Sequence, residues 1–178
     1  MDLIMLDPNR MVFIHGLEGT SQGVKATLLR GLFPGILTPD FRGNLEERMG
    51  QLYRLLGKKK EWTIIGSSFG GLMGAIFTCK HPAQVRKLVL LAPALIWPDF
   101  AESIPDAVDV PTFVYHGSHD EIVPLAATRK LAEQVFHNLT YYVVDDDHGL
   151  YETVHKINWK EILQSTPTNQ LANILERK

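Results

Sequence analysis

This sequence lacks most of the features that mark secreted, membrane or nucleic-acid-binding proteins. It contains one cysteine, Cys79, so no internal disulfide can form. It has no run of about 20 apolar residues to span a membrane, and no secretory signal is visible. The net charge is −2, and the longest basic run is the lysine triplet at residues 58–60, so nucleic acid is not an expected partner. We therefore expect a cytoplasmic protein.

Motifs for metals and nucleotides are also missing. His116, His119, Asp120 and the aspartates at residues 145–147 carry ligand atoms, but their spacing matches no zinc motif such as H-E-x-x-H. One cysteine excludes a cysteine cage, and neither a G-x-x-x-x-G-K-[ST] nor a G-x-G-x-x-G pattern supports a nucleotide site. We expect neither a metal nor a cofactor.

What the sequence does contain is a regular alternation of apolar and helix-like segments. The expected strands are residues 12–14, 35–38, 62–65, 88–91, 112–115 and 140–144. The expected helices are residues 23–32, 45–56, 70–80, 125–136 and 151–163. Strands separated by helices indicate βαβ units and a parallel sheet, and near-continuous apolar strands are typical of sheets covered on both faces. The sequence predicts one α/β domain over residues 1–178, with a core at about 11–164 and a tail or short helix at 165–178.

The most informative segment is Gly66-Ser67-Ser68-Phe69-Gly70, between an expected strand and an expected helix. A G-x-S-x-G sequence at such a turn is typical of the nucleophile elbow, which raises a serine hydroxyl above the carboxyl edge of a sheet. Side chains at the two glycines would collide where the strand and the helix pass closely. Ser68 could instead serve only as a helix N-cap, since serine is favoured there. The strand before it and the helix after it favour the nucleophile.

Partners for Ser68 follow later strands at the same edge, where ligands bind in open α/β sheets. Asp120 comes after the fifth expected strand and His148 after the sixth. Other residues compete for both roles. Glu121 and the aspartates at residues 145–147 are alternative acids, and His116 and His119 are alternative bases. The remaining four histidines are expected to be structural or exposed: His15, His81, His137 and His155.

Five motifs in this order resemble the α/β-hydrolase fold family. They are His15-Gly16, D-x-R-G at residues 40–43, the elbow, H-G-x-x-D-x-x-V-P at residues 116–124, and His148-Gly149. The resemblance extends over about residues 12–163. It implies a compact α/β-hydrolase fold of about six mostly parallel strands. The usual first hairpin is expected to be missing or reduced to residues 1–7, and residues 92–110 are too short for a lid domain.

The resemblance also implies a serine hydrolase with defined roles for its residues. Ser68 is the expected nucleophile, His148 the base that takes and returns its proton, and Asp120 the acid that holds the imidazole. The backbone N–H groups of Leu17 and Phe69 are expected to stabilise the oxyanion.

The substrate is less well defined, because the same triad cleaves esters, thioesters, amides and lactones. The residues whose loops could supply an apolar pocket are Leu17, Phe69, Ile96, Trp97, Phe100, Val123 and Leu150. Trp97 and Phe100 could equally serve only to anchor their loop. We expect an esterase for small or medium carboxylic esters. An acyl thioesterase and a non-catalytic module that binds a ligand or a protein are the alternatives.

Overall fold

A computed structural model describes residues 6–164 of the chain, so the predicted tail at 165–178 lies outside the described residues. The sheet has five strands, all parallel, in the order β1-β2-β3-β4-β5. They are β1 (Met11–Ile14), β2 (Trp62–Ser67), β3 (Val85–Leu91), β4 (Thr112–Gly117) and β5 (Leu139–Val144). The predicted parallel α/β architecture is thus confirmed.

The second expected strand, at residues 35–38, is not a full strand and contributes only one parallel bridge, between Leu37 and Val12. Leu37 donates its N–H to Met11 and accepts from the Phe13 N–H. The ladder ends there because Pro39 has no N–H to donate and restricts the residue before it.

Seven α-helices are described: α1 (Val24–Leu32), α2 (Leu45–Leu56), α3 (Phe69–Lys80), α4 (Pro98–Ala101), α5 (Leu125–Val135), α6 (Tyr151–Lys156) and α7 (Trp159–Gln164). The predicted helix at residues 151–163 is therefore divided in two. Ile157 leaves the helical conformation, and the Asn158 side chain accepts the N–H of Glu161 to begin α7.

The helices cover both faces of the sheet. The α2, α3 and α5 helices pack into one apolar cluster, and α1, α6 and α7 into the other. Successive strand residues alternate between the clusters, with Ile64 in the first and Ile65 in the second. This two-sided burial explains why the strands are apolar at nearly every position.

The topology creates a crevice between β1 and β2. The α1 helix follows β1 on one face of the sheet, and α3 follows β2 on the other. The backbone therefore leaves the carboxyl ends of these neighbouring strands in opposite directions. Such a switch point is where open α/β sheets bind ligands. The segment between β3 and β4 contains only α4, and no lid domain occurs among the described residues.

The amino-terminal part is equally reduced. Leu6 and Asp7 precede a 3-10 turn at Pro8–Arg10 that leads directly into β1, and within residues 6–10 there is no strand. The rest of the expected remnant of the hairpin, residues 1–5, lies outside the described part of the chain. No helix between residues 6 and 164 is long and apolar enough to cross a membrane.

Candidate active site

Ser68 lies at a sharp turn between β2 and α3. Its φ angle is +54°, a left-handed conformation that a residue with a side chain adopts only under strain. The turn is tight enough to require glycine on both sides. A Cβ at Gly66 would overlap the carbonyl oxygen of Gly70, and a Cβ at Gly70 would overlap that of Ile14. The close approach expected from the sequence is present.

Ser68 has the position of a helix N-cap but does not make the contact of one. Ser68 occupies the N-cap position of α3, but its side chain makes no capping hydrogen bond. Its Oγ lies 3.0 Å from Nε2 of His148. The hydroxyl is therefore directed towards the imidazole rather than the helix.

His148 links Ser68 to Asp120. Nδ1 of His148 lies 2.8 Å from Oδ2 of Asp120, a carboxylate oxygen that accepts hydrogen bonds. Nδ1 therefore carries the hydrogen, and Nε2 accepts from the Ser68 hydroxyl. The imidazole of His148 is 23% exposed, whereas the Asp120 carboxylate is fully buried. The imidazole thus has access to the crevice while the carboxylate lies behind it.

Asp120 is held by its own loop. Its Oδ1 accepts the N–H groups of Ile122 at 2.9 Å and Val123 at 2.8 Å. Burial alone would raise the pKa of Asp120, but the hydrogen bonds from Val123, His148 and Ile122 outweigh it, so its pKa is lowered. The carboxylate is therefore ionised at neutral pH.

The competing acids and bases make other contacts. Asp145 is exposed and pairs with His119 at 2.9 Å, and Asp146 accepts from both the N–H and the hydroxyl of Thr153. His116 is buried, with its Nε2 3.1 Å from Oδ2 of Asp120, and Glu121 is exposed. Among residues 6–164, no group of three or more His, Cys, Asp or Glu side chains is arranged to hold a metal ion. The structure brings together Ser68, His148 and Asp120.

The loop after β1 is fixed by His15, which is buried. Its Nε2 accepts the Phe41 N–H at 2.9 Å, so Nδ1 carries the hydrogen and donates to the Gly16 carbonyl at 2.7 Å. The Gly19 N–H also donates to this carbonyl. Because the carbonyl and the N–H of a trans peptide point in opposite directions, the Leu17 N–H is directed away from these contacts. His15 is structural, as expected.

The two predicted oxyanion donors line the same cavity as Ser68. Neither the Leu17 N–H nor the Phe69 N–H donates a hydrogen bond to any residue between 6 and 164. Phe69 also begins α3, whose dipole is positive at this end. Both N–H groups are therefore available to a negatively charged oxygen.

Arg48 supports this loop and was not identified from the sequence. Its guanidinium donates to the Leu17 carbonyl at 3.2 Å and to the Gly43 carbonyl at 2.9 Å, and lies 5.5 Å from the centre of the Phe69 ring. Burial lowers the pKa of Arg48. An arginine on an amphipathic helix is expected to face solvent, so nothing in the local pattern marked it.

The cavity around Ser68 has a volume of about 710 Å³ and a mainly apolar lining. Of the predicted pocket residues, Trp97 and Val123 line it, and so do Leu17, Phe69 and Ile96. The rings of Phe69 and Trp97 meet edge to face at 5.1 Å. Five large lining side chains are also exposed to solvent, and we call them the pocket rim: Leu17, Ile96, Trp97, Ile122 and Tyr151.

Two predicted pocket residues do not line the cavity. Phe100 is fully buried in the cluster beneath α2 and α3, because the short helix α4 turns it inwards. Leu150 is fully buried in the opposite cluster, where it begins α6. Lys25 also lines the pocket and was not predicted from the sequence. Its ammonium lies 4.7 Å from the centre of the Tyr151 ring, and burial lowers the pKa of Lys25.

Comparison with known proteins agrees with this architecture. A family profile for the alpha/beta hydrolase fold matches residues 35–109. No curated protein matches the chain by sequence.

Three solved structures are similar over most of their length. A protein of the alpha/beta hydrolase superfamily from Xanthomonas campestris is 23% identical with a TM-score of 0.71, covering 85% of this chain and 93% of its own. Est1E from Butyrivibrio proteoclasticus, with ferulic acid bound, is 18% identical with a TM-score of 0.65, at coverages of 86% and 89%. A monoacylglycerol lipase from Paleococcus ferrophilus is 16% identical with a TM-score of 0.62, at coverages of 87% and 94%. At these identities the similarity establishes the fold alone.

Proposed function

We propose that this chain is a member of the α/β-hydrolase fold family and a serine hydrolase that cleaves carboxylic esters. The observation that carries the proposal is the continuous contact from Ser68 through His148 to Asp120, at 3.0 Å and 2.8 Å. A serine hydroxyl is a weak nucleophile by itself and needs an adjacent base. Here the base is in hydrogen-bond contact, and a buried carboxylate holds it in the tautomer that can accept the proton.

In the proposed reaction, Oγ of Ser68 attacks the carbonyl carbon of the ester while its proton moves to Nε2 of His148. The carbonyl oxygen becomes an oxyanion, which the N–H groups of Leu17 and Phe69 stabilise. Collapse of the intermediate expels the alcohol, which takes the proton from His148, and leaves an acyl group on Ser68. Water then repeats the sequence and releases the acid.

The pocket is compatible with the proposed ester substrate. The cavity of about 710 Å³ is open and mainly apolar, which suits an uncharged acyl or alcohol group. Of the solved structures with a similar fold, one, Est1E, contains bound ferulic acid, and another is a monoacylglycerol lipase. These parallels support an ester substrate.

A fluorophosphonate probe tests the proposal directly, because it reacts with an activated serine irrespective of the substrate. We expect the wild-type protein and a Ser67→Ala control to be labelled, and Ser68→Ala not to be. Folded wild-type protein that resists the probe would contradict the enzymatic function and support the non-catalytic alternative.

Rates on p-nitrophenyl esters of increasing chain length, set against thioesters of the same acyl groups, then rank the substrate class. We expect higher kcat/KM on the esters. A consistent preference for the thioesters would leave the serine chemistry in place and reassign the protein as a thioesterase.

A further inference from the structure

His116 is a fully buried histidine that the proposed reaction does not use. It lies near the carboxyl end of β4, four residues before Asp120. Its Nε2 is 3.1 Å from Oδ2 of Asp120 and 3.0 Å from the carbonyl oxygen of Val123. Its Nδ1 is 2.7 Å from the hydroxyl of Tyr141, on β5. The ring therefore connects the loop of the proposed catalytic acid to the edge strand of the sheet.

These neighbours determine where the ring carries its hydrogen. The two groups next to Nε2 are a carboxylate and a carbonyl oxygen, which only accept, so the hydrogen is on Nε2. Burial lowers the pKa of His116, so the ring is neutral at pH 7 and Nδ1 has a free lone pair. That lone pair accepts the hydroxyl hydrogen of Tyr141. In this one tautomer every polar atom of the ring has a partner.

We propose that His116, oriented by Tyr141, is a positioning residue for Asp120. Its Nε2–H donates to the Val123 carbonyl, and Nε2 lies 3.1 Å from the Asp120 oxygen that also accepts from His148. The Val123 N–H holds the other oxygen of Asp120, so His116 fixes both the carboxylate and the loop that carries it. The inference rests on the proposed role of Asp120 as the acid of a serine hydrolase.

The position of Tyr141 explains how the ring of His116 is held in place. The rings of His116 and Tyr141 lie nearly parallel with their centres 6.2 Å apart, on neighbouring strands. If the hydrogen moved to Nδ1, a lone pair on Nε2 would face the Asp120 carboxylate and repel it. The acceptors beside Nε2 therefore select the tautomer, and the hydrogen bond from the Tyr141 hydroxyl to Nδ1 keeps the ring oriented towards them.

Charged and titratable groups surround the pair on three elements, and a pH-dependent test must leave them in place. Asp120 and His148 face His116 from the loops after β4 and β5, while Arg129 and Glu133 of α5 lie behind Tyr141. The Arg129 guanidinium is 5.4 Å from the centre of the Tyr141 ring and pairs with Glu133 at 2.7 Å. The variants below keep all four.

The kinetic test compares His116→Phe, which removes the donor, with His116→Gln, whose side-chain N–H can replace Nε2–H. We expect His116→Phe to lower kcat on p-nitrophenyl esters by about 10- to 100-fold with little change in KM, because misplacing Asp120 tilts the base. His116→Gln should recover at least part of the loss. Tyr141→Phe should lower kcat by about fivefold, the effect of one lost hydrogen bond. The exposed neighbour His119 supplies the control, His119→Phe, which should retain wild-type kcat.

The pH profile separates positioning from packing. Without the donor from His116, the Asp120 carboxylate stabilises the protonated form of His148 more strongly. The acid limb of kcat/KM should therefore move to higher pH in His116→Phe and Tyr141→Phe. A packing role alone would lower the melting temperature and leave kcat and the pH profile of the folded protein unchanged. That result in Tyr141→Phe, the milder variant, would overturn the inference even if His116→Phe fails to fold.

A spectroscopic measurement is independent of hydrolysis. Nitrogen NMR shifts of the imidazoles should identify a neutral Nε2–H tautomer at His116, and Tyr141→Phe should shift the low-field proton between His148 and Asp120. If these signatures are present in a protein that neither hydrolyses esters nor reacts with fluorophosphonate, the proposed function fails while the positioning role stands. An Nδ1–H or doubly protonated His116 would overturn the role irrespective of activity.

Discussion

The candidate catalytic centre and the pocket rim are built in opposite ways, although both lie at the same edge of the sheet. The Asp120 carboxylate is fully buried and accepts hydrogen bonds from two backbone N–H groups and from His148. On the rim, Ile122 is 68% exposed, and Trp97 is 38% exposed and contacts Phe69 by one ring edge. The side chains of the centre are therefore held in one arrangement, whereas the rim is open to solvent and leaves room for groups of different shapes.

The largest effect is expected at the base. His148→Ala should lower kcat by about 10⁴-fold or more, since Ser68 then has no group to accept its proton. Ester hydrolysis with purified protein measures the loss, and His119→Ala on the neighbouring loop is the matched control. If His148→Ala keeps a tenth of the wild-type activity, another residue is the base.

The second largest loss of activity is expected at Asp120, the proposed acid. Asp120→Asn is expected to lower kcat by about 10³-fold or more, because an amide can hold the imidazole in the wrong tautomer. Asp145→Asn should have no measurable effect, since the Asp145 side chain is 94% exposed and pairs with the exposed His119. Steady-state kinetics on one ester decides between the two carboxylates, and equal losses in both variants would refute the assignment of Asp120.

A smaller effect is expected on stability at the elbow. Gly70→Ala puts a methyl group against the Ile14 carbonyl, so we expect the free energy of unfolding to fall by about 3 kcal/mol. Gly31→Ala is the control, because no atom lies within 4 Å of the added methyl group and alanine favours the helix. Urea denaturation measures both. An unchanged midpoint for Gly70→Ala would mean that α3 and β1 can separate.

The rim should affect selectivity rather than turnover. Trp97→Ala and Ile122→Ala are expected to raise KM for longer acyl esters by about tenfold, the effect of losing apolar contact area. The kcat on p-nitrophenyl acetate should stay within about twofold of the wild type, and so should the unfolding midpoint in urea. A large loss of kcat on the acetate would mean that the rim residues contribute to turnover as the proposed catalytic centre does.

The smallest effect concerns acid stability. The pKa values of Asp120 and Asp146 are lowered in the folded protein, so the unfolded chain binds more protons as the pH falls. Their contribution to stability is present above the ordinary aspartate pKa and is lost as the pH falls through the lowered values. Urea denaturation between pH 7 and pH 3 should show this decline. The decline should be weaker in Asp120→Asn and unchanged in Asp145→Asn.

Local pattern was enough to predict the parallel α/β architecture and the segments that meet at its edge. The elbow is predictable because its glycines, its serine and the strand before it are contiguous in the sequence. Contacts across the fold were not accessible in this way. The inward rotation of Phe100, the reach of Arg48 to the Leu17 carbonyl and the pairing of His116 with Tyr141 depend on packing between distant segments. The short strand around Leu37 was overestimated because its apolar run hid the effect of Pro39.

The order of strands in the sheet has a consequence for synthesis. Each strand pairs with the one made just before it, so the sheet can grow by one strand at a time as the chain leaves the ribosome. Ser68 emerges early, whereas His148 follows β5, the last of the five strands within residues 6–164. Until β5 docks, the serine lacks its proposed base. The proposed activity would therefore first appear when the sheet is complete.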